Sequence, residues 1–277
     1  MTAALPVFNH RWVLYLRTWR GTVFSSFVLP VMFLVGMGVS LGSYVDGGGS
    51  LGLPYLDFIA PGVLVSTAFQ IAISEATYPV LGGFLWVRTY HAMQTSPLRA
   101  RDMVAGELLW GGLRVGTSAL GFLVVMLLFG VLHSAWAIAL VPVALLVGVA
   151  VGAPVLAYSA TVRQDSMFAL LFRFAVIPMT LFAGVFFPVD QLPSLARWVA
   201  YVTPLWHGVE LSRGASLGID TALAWPWHVG YLLAWAVAGY LLAARRFARR
   251  LGDCWLRRCW RRACWVGWRT RSPGPAR

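Results

Sequence analysis

The chain has 277 residues, of which 59% are hydrophobic and only 12% charged, against about 25% charged in soluble domains. With a mean hydropathy of +0.71, several long apolar runs must lie in lipid, because no soluble fold of this length hides so much apolar surface. The formal charge of +12 rests on 22 arginines and no lysine. That excludes a phosphate-binding loop of the G-x-x-x-x-G-K-[ST] type and lysine Schiff-base chemistry.

In chain order, the N-terminal segment (1–21) carries Arg11, Arg17 and Arg20 and has no small-residue cleavage site after its first apolar run. It reads as a retained amphipathic piece and not as a signal peptide. Apolar stretches long enough to cross about 30 Å of hydrocarbon follow at 22–44, 58–82, 106–132, 136–160, 168–188 and 225–244. The expected fold is therefore an all-α polytopic membrane protein with six transmembrane helices in a domain spanning 22–244. With the N-terminus inside, 18 of the 22 arginines are cytoplasmic, including eleven in the tail 245–277. Arg197 and Arg213 alone fall outside, so arginine bias places both termini in the cytoplasm.

Three stretches break the hairpin pattern. Gly47-Gly48-Gly49-Ser50 makes 45–57 a flexible outer loop. The 83–105 segment is a cytoplasmic connection of helix-forming residues, broken at Pro97. The 189–224 stretch is amphipathic and rich in tryptophan, and Pro193 and Pro204 divide it into two helical pieces too short to span.

Glu75, Arg114 and Arg173 are read as the ionisable residues inside the spans, each costly in hydrocarbon without a partner or an escape route. Glu75 and Arg114 lie about 10–12 Å from the cytoplasmic ends of neighbouring helices at 1.5 Å per residue. That equal depth fits an ion pair, either a structural clasp or a relay for a proton or substrate. Arg173 is shallower and snorkels to the headgroups. His207 and Glu210 share a helical face at i, i+3, while His10, His91, His133 and His228 suggest no cluster. No catalytic constellation and no metal site emerge: Cys254, Cys259 and Cys264 lack a fourth ligand.

The tail interleaves these cysteines with Trp255, Trp260 and Trp265 and with paired arginines. Its physical reading is a strip on the anionic inner leaflet. Nucleic-acid binding by stacking and phosphate contacts is the alternative. Pro273 and Pro275 mark a disordered end.

Several motifs, taken in order, resemble those of ABC-2 type exporter permeases, in the NodJ-like branch of lipo-oligosaccharide and daunorubicin-type transporters. They are Tyr55-Leu56-Asp57-Phe58-Ile59-Ala60-Pro61-Gly62, Glu75-Ala76-Thr77-Tyr78, Ser96-Pro97-Leu98 with Asp102, and Gly106-Glu107-Leu108-Leu109-Trp110. Phe186-Phe187-Pro188 with Gln191-Leu192-Pro193, and Pro204 through Arg213 around His207 and Glu210, complete the set. The likeness covers about residues 5–250, and nothing from it carries over to the tail.

The resemblance implies a non-enzymatic transport subunit in the bacterial plasma membrane. It implies no cofactor on this chain, ATP and Mg being held by a separate ATPase subunit, and a second permease, identical or paralogous. It assigns ATPase docking to Arg17, Arg20, Arg88, Tyr90, Ser96, Pro97, Leu98 and Asp102. It makes Phe187, Pro188, Leu192, Pro193, Pro204, His207, Glu210 and Arg213 part of an outer re-entrant region near the exit path. The cargo it implies is an amphipathic lipid-linked saccharide or a lipophilic drug, extruded outward. Two rivals stand beside this reading. An ion-coupled carrier built on Glu75 and Arg114 would show internal repeats, which 22–132 and 136–244 do not. A membrane-embedded transferase would need convergent acid/base groups, whereas Asp57, Asp102, Asp165 and Glu210 are scattered over different loops.

Overall fold

The computed structural model describes residues 4–33, 35–36, 54–96, 98–218 and 223–269. Pro97, the Gly47–Ser50 loop and the end of the expected first span lie outside this set. Every regular element among the described residues is helical. Helix α1 (Leu5–Phe33) carries Pro6 in its first turn, where a missing N–H is harmless. It runs unbroken from the amphipathic segment into the first apolar stretch.

Helices α2 (Tyr55–Ala76) and α3 (Tyr78–Leu85) are two halves of one span, broken at Thr77 (φ −101°, ψ −96°). Pro79 has no N–H to donate into the helix, so the ladder opens there. The hydroxyl of Ser159 donates to the freed Ala76 carbonyl at 2.6 Å, so the break is satisfied from a neighbouring helix.

The chain continues through α4 (Thr89–Met93), α5 (Ala100–Leu128), a 3-10 turn over Ala135–Ala139 and α6 (Leu140–Ser159). Next come α7 (Met167–Leu171), a π turn over Phe172–Val176 and α8 (Ile177–Phe182). The outer stretch forms α9 (Ser194–Val202) and α10 (Pro204–Leu217), and the chain closes with α11 (Trp225–Arg269).

Among the described residues four helical segments are long and apolar enough to cross a membrane: Tyr55–Leu85, Ala100–Leu128, Trp136–Ser159 and Trp225–Gly252. The stretch expected to span at 168–188 is instead a shorter helical run, Met167–Phe182. At 1.5 Å per residue it covers about 24 Å. Pro178 and the π turn loosen it, and Gly184 ends it at φ +76°, a backbone that a side chain resists.

Helix α6 is the hub of the bundle, packing on α2, α5, α10 and α11. Lipid provides no hydrophobic drive between helices, so close backbone approach through small residues holds them together. A Cβ at Gly239 of α11 would lie 2.5 Å from Pro154 Cδ of α6, and one at Gly208 of α10 would lie 2.3 Å from Val147 Cγ2. The outward faces of the spans carry exposed Leu120, Val124, Leu127, Leu233, Val237 and Leu241. That is the surface a bilayer would cover.

Candidate functional site

The functional candidates gather at the two ends of this bundle. At the end that bears Arg11, Arg88, Arg99, Arg101 and Arg250, two charged clasps hold α1 against the core. In the first, Arg11 of α1 meets Glu107 at the start of α5: Nε donates to Oε2 at 3.0 Å and to Oε1 at 3.2 Å. The hydroxyl of Tyr90, from α4, donates to Glu107 Oε1 at 2.7 Å. Burial, and then the carboxylate beside it, push the Tyr90 phenol well above its ordinary pKa, so it remains a donor. Burial works against the charge on Arg11, but Glu107 and Tyr90 outweigh it and raise the guanidinium.

The Tyr90 ring packs in a triangle with Phe84 (4.6 Å between centroids) and Phe247 (5.4 Å), which are 4.9 Å from each other. Gly83 makes room for it, since a Cβ there would come within 2.5 Å of the ring. Arg250 lies over Phe84 at 4.2 Å and donates to the Ser159 and Ala160 carbonyls at 3.0 and 3.1 Å, closing the end of α6. One buried knot thus joins α1, α3, α4, α5, α6 and α11.

The second clasp lies deeper. Arg114 Nε donates to Glu75 Oε1 at 3.1 Å, Trp110 Nε1 donates to Oε2 at 3.0 Å, and Arg114 also reaches the Tyr15 hydroxyl at 3.4 Å. Phe8, Trp12, Tyr15 and Trp110 pack edge to face around it. Both carboxylate oxygens are therefore engaged. The crevice beside Glu75, lined by Glu107, Gly112, Gly148 and Gly152, has a volume of only about 10 Å³. A larger cleft of about 290 Å³ opens between α1 and the α3–α4 corner, with His10, Leu14, Pro79, Trp86 and Met93 on its walls and Glu107 at its floor.

The residues expected to dock an ATPase divide by environment. Arg17, Arg88 and Ser96 are exposed, and Leu98 is half-buried. Arg88 takes a left-handed conformation (φ 56°) that turns the chain from α3 into α4. Tyr90 is only 1% exposed, so it belongs to the inside of the segment and not to its docking face. Asp102 accepts from the Arg99 backbone N–H at 3.1 Å and caps α5. Pro97 and the Arg20 side chain lie outside the described residues. Arg173 is exposed.

At the opposite end, Arg213 is buried and not a loop residue. It lies 3.7 Å over the Phe58 ring and donates to the Phe58 and Val185 carbonyls, each at 3.3 Å, and to that of Gly184. Glu210 is 3.6 Å from it. The irregular 183–187 chain, which leads to Phe187 and Pro188, is thereby tied to α2 and α10. Pro188 and Leu192 bound the short turn that precedes α9, and Pro193 starts that helix. Pro204 opens α10, with Thr203 as its cap.

His207 does not pair with Glu210, as the i, i+3 spacing suggested. Its Nδ1 lies 2.8 Å from Nδ1 of His228 on α11, and its Nε2 meets the Tyr201 carbonyl at 3.1 Å. With Nε2 donating, His207 Nδ1 accepts from His228. His133, also taken as isolated, meets Asp57 at 2.8 Å. Sequence reasoning passes over Glu107, Arg11 and His228 as partners because the contacts join residues 96 and 21 positions apart. The only signal was that Glu107 is a carboxylate inside an apolar run.

A helical bundle with apolar outer faces, small-residue crossings and, among the described residues, buried charges held in pairs defines a polytopic membrane protein. The sequence matches the ABC-2 type transporter family over residues 7–217, and the chain belongs to that family. It is similar to nodulation protein J of Rhizobium leguminosarum bv. viciae, 28% identical over 89% of this chain and 94% of that one. Nodulation protein J of R. leguminosarum bv. trifolii is 29% identical over 90% and 97% of the two chains. The inner membrane transport permease YadH of Escherichia coli K12 is 25% identical over 82% and 88%. The protein is thus a multi-pass inner membrane component of an ABC transporter, a transport subunit of a family that normally works with a partner ABC ATPase.

Proposed function

We propose that this chain is the permease of an ATP-driven exporter that moves an amphipathic lipid-linked saccharide or lipophilic drug outward. The energy comes from a separate ATPase docked on the cytoplasmic 88–102 segment and the start of α1. The observation that carries this reading is the Arg11–Glu107–Tyr90 knot. A segment displaced by ATPase closure is bonded through Tyr90 and Glu107 to α1 and α5 and packed through Phe84 and Phe247 on α11. A movement of α4 is then passed to several spans at once, the kind of rigid-element shift that interconverts inward and outward states.

Co-purification from membranes with the ATPase encoded beside this gene tests the reading. Association that raises ATP turnover, and that is lost when Ser96, Pro97 and Leu98 are altered together, is the expected result. The Glu75–Arg114 pair favours a second reading, an ion-coupled carrier. The full satisfaction of Glu75 by Trp110 and Arg114 and the small volume beside it argue for a clasp. Transport that follows a proton gradient without an ATPase and stops in Glu75→Gln would establish the carrier instead.

A further inference from the structure

Helix α11 extends to Arg269, and a stretch of it long and apolar enough to cross a membrane lies within Trp225–Gly252. The end of that span is firmly rooted. Phe247 and Leu251 are buried, and Arg250 closes the last carbonyls of α6. The root therefore packs against the end of α6, the last turn of the apolar helix Trp136–Ser159. Another 17 residues of helix follow, about 25 Å at 1.5 Å per residue.

At 3.6 residues per turn, positions 257, 258, 261, 262 and 269, all arginine, fall within an arc of about 140°. Positions 255, 256, 259, 260, 263 and 266 (Trp, Leu, Cys, Trp, Ala and Val) fill a second arc of about 140° on the other side. Trp265 and Trp268 fall among the arginine positions, and indoles favour headgroup depth. The single acidic residue beyond Gly252 is Asp253.

We propose that residues 253–269 are a basic amphipathic foot that binds anionic phospholipid headgroups of the leaflet where α11 emerges. A helix pointing straight into water would leave the Trp/Leu/Cys stripe wet and the arginines without counter-charge. Laid on the membrane, the stripe enters the acyl boundary and the arginines meet lipid phosphates. The helix runs through Gly252, and the bend this arrangement needs would fall there. A glycine softens a helix, and a Cβ there would meet nothing within 4 Å, so no neighbouring group obstructs the turn.

The chain has three cysteines, all in this foot, so a thiol probe reports on it alone. Full-length protein keeping only Cys259, on the apolar arc, or only Cys254, on the basic arc, is labelled with an environment-sensitive fluorophore. It is then reconstituted without ATPase in nanodiscs of phosphatidylcholine, with or without phosphatidylglycerol. The expected result is that phosphatidylglycerol moves the Cys259 probe into the lipid phase. Aqueous quenching should fall and lipid-phase quenching rise several-fold, with a smaller change at Cys254 and reversal at high salt. Replacement of Arg257, Arg258, Arg261 and Arg262 by glutamine should abolish the difference while the protein elutes unchanged on size exclusion.

A Cys259 probe that stays water-exposed in both lipids overturns the proposal. So does burial that appears only when the ATPase is added, which would make that subunit the occupant. Burial that scales with the number of permease copies per disc, independent of lipid charge, would instead identify a contact between copies and equally overturn it.

Discussion

The Arg11–Glu107 pair shows what burial does to a single ion pair. Glu107 accepts from two side chains in a nearly dry site, so removing one partner strands a charge. Breaking such a pair costs about 3–5 kcal/mol, whereas removing both charges costs much less. Glu107→Gln or Arg11→Gln alone should therefore destabilise the protein by about 3 kcal/mol in thermal unfolding, with the double variant more stable than either single one. Additive losses would show that the two side chains do not act as a unit.

His207 at the other end supplies a pH test. Burial, with the His228 ring as the next cause, holds it down to about 4. Since the unfolded chain titrates near 6.5, it binds more protons than the folded one between the two values, and stability rises with pH across that window. The contribution is complete above about pH 6.5 and is lost as pH falls toward 4. Melting temperatures measured from pH 7.5 down to 4.5 should decline, and the decline should be shallower in His207→Gln.

At the scale of elements, helix crossings depend on glycines at particular positions and ignore others. Gly239→Ala places a methyl group 2.5 Å from Pro154 Cδ and 2.7 Å from Pro154 N, a proline that cannot move aside without shifting α6. Overpacking of this kind costs about 1–3 kcal/mol. Gly111→Ala, where a Cβ would meet nothing within 4 Å, should leave unfolding unchanged. Two such glycines look alike in sequence, and only the crossing of α11 over α6 separates them. The expected division of the outer stretch into two pieces matches α9 and α10, because Pro193 and Pro204 stand at the starts of these helices, where no N–H has to be donated. The expected fifth span is shorter than its apolar composition suggested, because hydropathy does not register a π turn or a left-handed glycine.

For the whole molecule, arginine bias leads us to expect the basic end and the tail in the cytoplasm. A membrane-impermeant thiol reagent should then label Cys254, on the basic arc, in inverted vesicles and leave it unlabelled in right-side-out cells. Labelling from outside would reverse the orientation and remove the 88–102 segment from any cytoplasmic ATPase. The knot around Tyr90 and the Arg213 anchor lie at opposite ends of the bundle, joined by α2, α5, α6 and α11. Loosening Glu107 should consequently reduce ATP turnover in the complex more than it reduces ATPase binding.

The sequence alone determined that the protein lives in a membrane, which side its arginines favour, that it hydrolyses no ATP through a lysine loop, and that Glu75 and Arg114 lie at one depth. These follow from transfer free energies and helical rise, which are local and additive along the chain. Tertiary structure decided the rest. It chose Glu107 as the partner of Arg11, joined His207 to His228, buried Arg213 and turned Tyr90 inward. Each of these depends on which helices touch, and in lipid that choice rests on close packing between small residues far apart in sequence. No local pattern encodes it.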